Sequence, residues 1–142
     1  MSAKLSLNLT QLNERGRQCL PDLFGIQFLH IEWGKLTSSL QIQPQFLAPN
    51  GYLHAATLIA LADTACGYGC ISHLPDNANS FTTAELKSNF LSTATEGVLH
   101  CEATASHLGR STHIWDASVT SESNGKTLAL FRCTQLILYP KS

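Results

Sequence analysis

Asn50-Gly-Tyr-Leu-His-Ala-Ala-Thr-Leu-Ile-Ala-Leu-Ala-Asp-Thr-Ala-Cys-Gly-Tyr-Gly-Cys70 is the stretch that decides the fold. Pro49-Asn50-Gly51 is turn chemistry, and it leads into a run with helical spacing. Between Gly51 and Pro75 the only fixed charge is Asp63. A carboxylate alone in an apolar helix is costly to bury, so it has either a partner or a task. Two readings stand at this point: a group held for chemistry, or an Asp that hydrogen-bonds backbone at a helix packing contact. At about 100° per residue, Leu58, Leu61, Ala62, Ala65 and Gly69 share one stripe, the expected core face. Asp63 falls on the far side with Ala60, Gly67 and Cys70. Small residues there suggest the close approach of a ligand or another subunit, unless they are filler.

The remaining composition narrows the class. The 142 residues make one domain, 1–142, large enough for a real core. Charged residues are 13% of the chain, about half the usual ~25%, which points to surface hidden in an oligomer. Nine Lys and Arg against ten Asp and Glu give a net charge of −1. Such a balance argues against general nucleic-acid binding, which needs a basic surface. No run of about 18 apolar residues is evident, so no membrane span is expected. The N-terminus has no long apolar core of the signal-peptide kind. Five cysteines, an odd number without a CxxC pair, suit a reducing cytoplasm with buried thiols. Cys66 and Cys70 lie i,i+4 on the helix and read as small apolar packing rather than metal ligands. His30, His73, His100, His107 and His113 show no ligand spacing, so no metal or resident cofactor is expected.

Taken in order, residues 9–20 read as a short amphipathic helix capped by Thr10 and ended by Pro21. Runs 26–33 and 36–43, joined at Gly34-Lys35, read as a hairpin with Leu36, Leu40 and Ile42 on one face. The helix follows over about 54–72, with Pro75 at its exit and a polar loop over 74–80. Four strands are expected at 81–91, 97–107, 111–121 and 126–139. Their separators, Thr95-Glu96-Gly97, Leu108-Gly109-Arg110 and Ser123-Asn124-Gly125, are all turn formers. The last strand is apolar on both faces over much of its length, which suits a central place in a sheet. The economical packing is α+β: one antiparallel sheet wrapped around one long central helix, with a short helix at the N-terminus.

This order, with the central motif, resembles the hotdog fold. More narrowly, the chain is similar to the PaaI-type acyl-CoA thioesterases of the phenylacetate-pathway class over about residues 20–140. That family's pattern is Asn, Gly, then His-Gly-Gly, then Leu-Ala-Asp, the Asp nine residues after the His. Here it is Asn50, Gly51, His54-Ala55-Ala56 and Leu61-Ala62-Asp63. Thr83-Ala-Glu-Leu-Lys-Ser-Asn-Phe-Leu91 is similar to the family's third strand, and Gly109-Arg110 to its next hairpin. Ala55 and Ala56 replace two glycines. Their methyl groups narrow the site without removing the amide N–H groups.

What the resemblance implies is hydrolysis of an acyl-CoA thioester to acid and coenzyme A. That reaction needs a donor for the developing oxyanion and a group to activate water or attack carbon. A helix N-terminus offers unpaired N–H groups and a positive dipole end, so Ala55 and Ala56 are the candidate donors and Asp63 the base or nucleophile. Ala56 and Asp63 are seven residues apart, about 10 Å along the axis, too far for one helix to serve one carbonyl. Two antiparallel copies can, each lending its helix start to the other's Asp63. A homodimer is therefore expected, with a homotetramer as a further step. His54 could orient the thioester or merely satisfy loop carbonyls. Asn50 could position water or Asp63, or serve the turn with Gly51. Thr83 could touch the site or be an ordinary strand former. Lys87, Arg110 and Lys126 are cations that could meet coenzyme A phosphates or lie solvated. Two other classes fit the same residues: a hotdog enoyl-CoA hydratase or dehydratase, and a non-catalytic acyl-CoA binding protein.

Overall fold

The computed structural model describes residues 4–141. Helix α1 spans Leu9–Arg15 and α2 Leu20–Leu23. Strand β1 spans Gln27–Glu32 and β2 Lys35–Gln41, and a 3-10 turn follows at Pro44–Phe46. Helix α3 spans Ala55–Ser72. Strands β3 (Ser80–Phe90), β4 (Val98–Leu108), β5 (Thr112–Ser121) and β6 (Thr127–Leu138) complete the chain. All six strands form one antiparallel sheet in the order β1-β2-β4-β5-β6-β3. The sheet wraps α3, as the hotdog expectation requires.

The N-terminal helix departs from the expectation in three ways, the first being its extent: it ends at Arg15 rather than at residue 20, and a second short helix takes up Leu20–Leu23. Its cap is Asn8, not Thr10. Asn8 Oδ1 accepts from the Gln11 N–H and Gln11 Oε1 accepts from the Asn8 N–H, each at 2.9 Å, a reciprocal capping box. Pro21 does not follow the helix; it opens α2. A proline lacks the N–H that a first-turn position would leave unpaired anyway, so it suits a helix start.

The predicted core stripe of α3 is the packed one. Leu61 and Ala65 are fully buried, and Leu58 and Ala62 nearly so. Gly69 is where the sheet presses closest. A Cβ there would lie 2.8 Å from the Trp115 ring, so only glycine lets β5 and α3 meet at that distance. Leu36, Leu40 and Ile42 share the buried face of the hairpin as expected. By length and composition α3 could cross a membrane: its 18 residues have mean hydropathy 1.3. Its apolar character has another cause, since 61% of it is buried within the fold.

Two expectations about faces need correction. The last strand, β6, is interior to the sheet, but only one of its faces is covered. Leu128, Phe131, Cys133 and Ile137 are buried, while Leu130, Leu136 and Leu138 are exposed on the other side. The far side of α3 is also not uniformly open. Cys70 is fully buried, and Gly67 is closed off by Phe81, whose ring would lie 3.2 Å from an added Cβ. Only the N-terminal half is left open. There Ala55 and Ala56 are exposed, and Ile59, Ala60 and Asp63 half-buried.

Candidate active site

The start of α3 is built by its entry loop. Asn50 Oδ1 accepts from the Tyr52 N–H at 3.1 Å, and Gly51 takes φ +89°, a conformation that favours glycine. The Leu53 N–H donates to the Ala94 carbonyl at 3.2 Å and the His54 N–H to the Phe46 carbonyl at 3.1 Å. Thr57 anchors the first turn from inside, its buried hydroxyl donating to the Phe46 carbonyl at 2.8 Å. His54 is the N-cap, with Nδ1 accepting from the Ala56 N–H at 2.9 Å. The Thr57 N–H donates to the His54 carbonyl at 2.9 Å. Among the described residues the Ala55 N–H alone of these three has no acceptor. The open donor at the positive end of the helix is thus Ala55, while Ala56 is engaged by the histidine.

Asp63 lies two turns further along, on the open half of the same helix. Its Oδ1 is buried and has no hydrogen-bond partner, and it makes no ion pair among the described residues. Burial pushes its carboxyl above the ordinary carboxylate value. A buried oxygen of this kind costs about 1–3 kcal/mol when left unpaired. Packing alone gives no reason to keep it, and among the described residues Asp63 makes no hydrogen-bonded helix contact. Asp63 is eight residues beyond Ala55, about 12 Å along the axis at 1.5 Å per residue.

The other candidates divide by location. Thr83 shares the helix side of the sheet with its partner Gln135, and its hydroxyl donates to Gln135 Oε1 at 2.7 Å. Asn50 and Gly51 sit in the exposed entry turn, engaged in shaping it. Lys126 lies in the β5–β6 turn, at the end of the sheet where α3 begins; the contacts of Leu53 with Ala94 and of Glu122 with Val98 fix that end. Arg110 lies in the β4–β5 turn at the opposite end. There α3 finishes at His73, whose Nε2 accepts from the Gly34 N–H at 2.8 Å. Lys87 is across from Arg132 on the outer face of the sheet, away from α3. One chain therefore does not gather these groups. Ala55, His54 and Lys126 share one end, Arg110 the other, and Asp63 the middle.

Strand β3 adds residues that the sequence did not single out. It is an edge strand, paired among the described residues only to β6. Leu86 and Phe90 lie opposite the buried Cys133 and Ala129, hence on the helix side, yet are 39% and 45% exposed. Leu91, just past the strand, is 57% exposed. A long edge with inward apolar side chains left uncovered is a template for another chain. Alternation in the sequence shows that Leu86 and Phe90 face inward. It does not show that the strand beside them is missing.

Comparison with known proteins fits this arrangement. The family model described as "Thioesterase superfamily" matches residues 50–128, which hold the α3 motif and strands β3 to β5. The chain is 30% identical over 115 residues to the 1,4-dihydroxy-2-naphthoyl-CoA hydrolase of Listeria monocytogenes, covering 81% of this chain and 92% of that one. It superposes on a mutant thioesterase from Pseudomonas aeruginosa with TM-score 0.89 and 28% identity, covering 96% of this chain and 99% of the other. The PaaI protein of the Escherichia coli phenylacetic acid degradation operon has the same fold, with TM-score 0.78, 22% identity and coverage of 92% and 96%.

Proposed function

The chain belongs to the thioesterase superfamily, and from that premise we propose that it hydrolyses acyl-CoA thioesters at a site shared by two copies. The observation that carries this reading is Asp63: a half-buried carboxylate with an unpartnered buried oxygen, on the open half of a helix whose start offers a free N–H. The two groups are about 12 Å apart within one helix, whereas a thioester carbon must sit roughly 3 Å from each. An antiparallel second copy supplies the missing distance. Its α3 start comes beside this Asp63, and this α3 start beside the other. The uncovered edge of β3 is where that copy docks.

In this site the Ala55 N–H holds the thioester oxygen as it becomes an oxyanion. Asp63 takes a proton from water as the water oxygen bonds to the carbonyl carbon, or attacks that carbon itself, in which case loss of coenzyme A leaves an acyl anhydride on Asp63 that water then hydrolyses to the free acid and the carboxylate. The C–S bond then breaks, and coenzyme A leaves as thiolate and regains a proton. His54 orients the Ala56 amide and, through it, the first turn of the helix. Lys126 meets coenzyme A phosphates from the same end, and Arg110 comes from the second copy, whose opposite end lies there in an antiparallel pair. The charge of Asp63 grows useful because it is partly desolvated: a carboxyl with a raised pKa is a stronger base than a free one.

The test is a thiol-release screen over aliphatic and aromatic acyl-CoAs, run with the wild type, Asp63→Ala and Asp63→Asn. Turnover should fall at least ~10²-fold in both variants, the usual scale for losing a general base, while sedimentation still reports a dimer. Unchanged turnover in a folded variant would remove Asp63 from the mechanism. A shift in enoyl absorbance without thiol release would point to a hydratase, and binding without either to an acyl-CoA carrier.

A further inference from the structure

We propose that His73 is a latch that acid releases: with Nε2 unprotonated it ties the β1–β2 turn to the end of α3, and a proton on Nε2 lets that turn go, with Trp33 on it. Both ring nitrogens of His73 are committed. Nδ1 lies 2.6 Å from the Gly69 carbonyl, which only accepts, so Nδ1 carries the ring hydrogen. Nε2 accepts from the Gly34 N–H at 2.8 Å, so it keeps its lone pair. The neutral ring fits both partners. The imidazolium fits only one, because a second ring N–H would meet the Gly34 N–H head on. His73 is also the C-cap of α3, so this one bond joins two elements 39 residues apart in sequence. The latch works whether or not the shared site hydrolyses thioesters.

The turn needs holding from outside. Trp33 and Gly34 connect the paired residues Glu32 and Lys35. Gly34 takes φ +79° but Trp33 is not at positive φ, so this is not one of the primed turns whose twist matches a hairpin. His73 holds the Gly34 N–H, and the Ala105 N–H donates to the Gly34 carbonyl at 2.9 Å. The second bond contains no titrating group and keeps the hairpin on β4 when the first is lost. Trp33 lies on His73 with ring centres 4.6 Å apart, and Trp115 meets the same ring edge-on at 5.1 Å.

No carboxylate is bonded to His73 among the described residues. On β5 it is faced by Trp115 and His113, and His107 on β4 acts on His113 in turn; these histidines repel a further positive charge. The N-terminal segment brings Ser6, which donates to the Ile71 and Ser72 carbonyls. The charges beside the turn are engaged elsewhere, Glu32 with His30 at 3.3 Å and Lys35 with Glu102 at 3.5 Å. Asp76, in the loop beyond, is exposed. Burial holds the His73 imidazole below its ordinary 6.5, and its bond to the Gly69 carbonyl offsets only part of this. With the turn open the ring is hydrated and titrates near its ordinary value. The closed form is therefore complete above that pH and is lost as pH falls below it.

The experiment is hydrogen exchange at the Gly34 amide from pH 7 to pH 5, with acrylamide quenching of tryptophan fluorescence on the same samples. The Gly34 protection factor should fall about 5- to 25-fold over that range, the upper figure being the change in open-state protonation for an imidazole of pKa about 6.5. Quenching should rise in step, because Trp33 is 48% exposed while Trp115 is fully buried and silent. The amide of Val119, at a fully buried position of β5, should keep its protection. His73→Gln offers a carbonyl oxygen to the Gly34 N–H and takes up no proton, so both readouts should become flat. His113→Gln should leave them as in wild type. A Gly34 protection factor that stays constant in wild type would overturn the latch, as would a fall matched at Val119, which is unfolding. The same fall in His73→Gln would also overturn it, and so would its disappearance in His113→Gln, which moves the proton to His113. Should His73→Gln not fold, the wild-type and His113→Gln curves still decide.

Discussion

Replacing Ala55 with proline separates the chemistry of the helix start from its stability. Three features of the structure say that the proline fits. Ala55 is the first residue of α3, the position where proline is tolerated best. Its N–H has no acceptor among the described residues, so no hydrogen bond is lost. His54 takes φ −68° and ψ 136°, inside the extended region that a following proline requires. The folded state should therefore change by less than about 0.5 kcal/mol, the range of benign substitutions. Catalysis should not escape so lightly. If the Ala55 N–H holds the oxyanion, its removal costs about 10²–10³ in kcat, or roughly 3–4 kcal/mol of transition-state stabilisation. The assay is steady-state thiol release with melting curves on the same samples. Cys19 is the exposed cysteine, so its reaction with the thiol reagent is subtracted as a burst. Ala55→Val adds comparable bulk but keeps the N–H; it should retain most of kcat. A proline variant that melts like wild type and turns over like wild type would refute the assignment of the donor. A valine variant as inactive as the proline one would show that bulk, not the amide, is responsible.

Gly69→Ala should lower Tm through overpacking at about 1–3 kcal/mol, because its Cβ would lie 2.8 Å from the Trp115 ring; an unchanged melting curve would mean that β5 and α3 are not held at that distance. The pH dependence of stability has a stated sign. Burial, with His73 and His107 nearby, pushes His113 down to about 4 from 6.5. The unfolded chain then binds a proton that the folded chain refuses, so stability is full above about pH 6.5 and falls as pH drops from there toward 4. His113→Gln should flatten that slope in urea melts taken across the window; an identical slope would mean that another group titrates. For turnover, kcat should decline in acid as Asp63 protonates, at a pH above its ordinary 3.8 because burial raises it; a flat acid limb in the absence of unfolding would argue against a carboxylate base.

Much of the fold was legible because it rests on period and punctuation. Helical spacing over 54–72 and the turns at Gly34, Gly97, Gly109 and Gly125 placed α3 and all six strands within a residue or two. Those signals are local, set by backbone dihedrals and side-chain alternation. Capping is equally local but subtler. Asn8 and Thr10 are both good caps, and the reciprocal bond with Gln11 decides between them. Asp63 stood out for a physical reason that needs no coordinates: one charge in an apolar helix.

The sequence by itself thus determined the helix, the strands, the lone acid and its spacing from the helix start. Tertiary structure decided which of those groups are free to act. His54 takes the Ala56 amide and leaves Ala55 open, Phe81 closes the far side over Gly67 while Asp63 stays half-buried, and Arg110 lands at the end away from Ala55. Strand order is the deepest of these decisions. It puts β3 beside β6 at an edge and leaves Leu86 and Phe90 uncovered, a result of which strands pair across the whole chain, and pairing at that separation leaves no mark in any short window of residues.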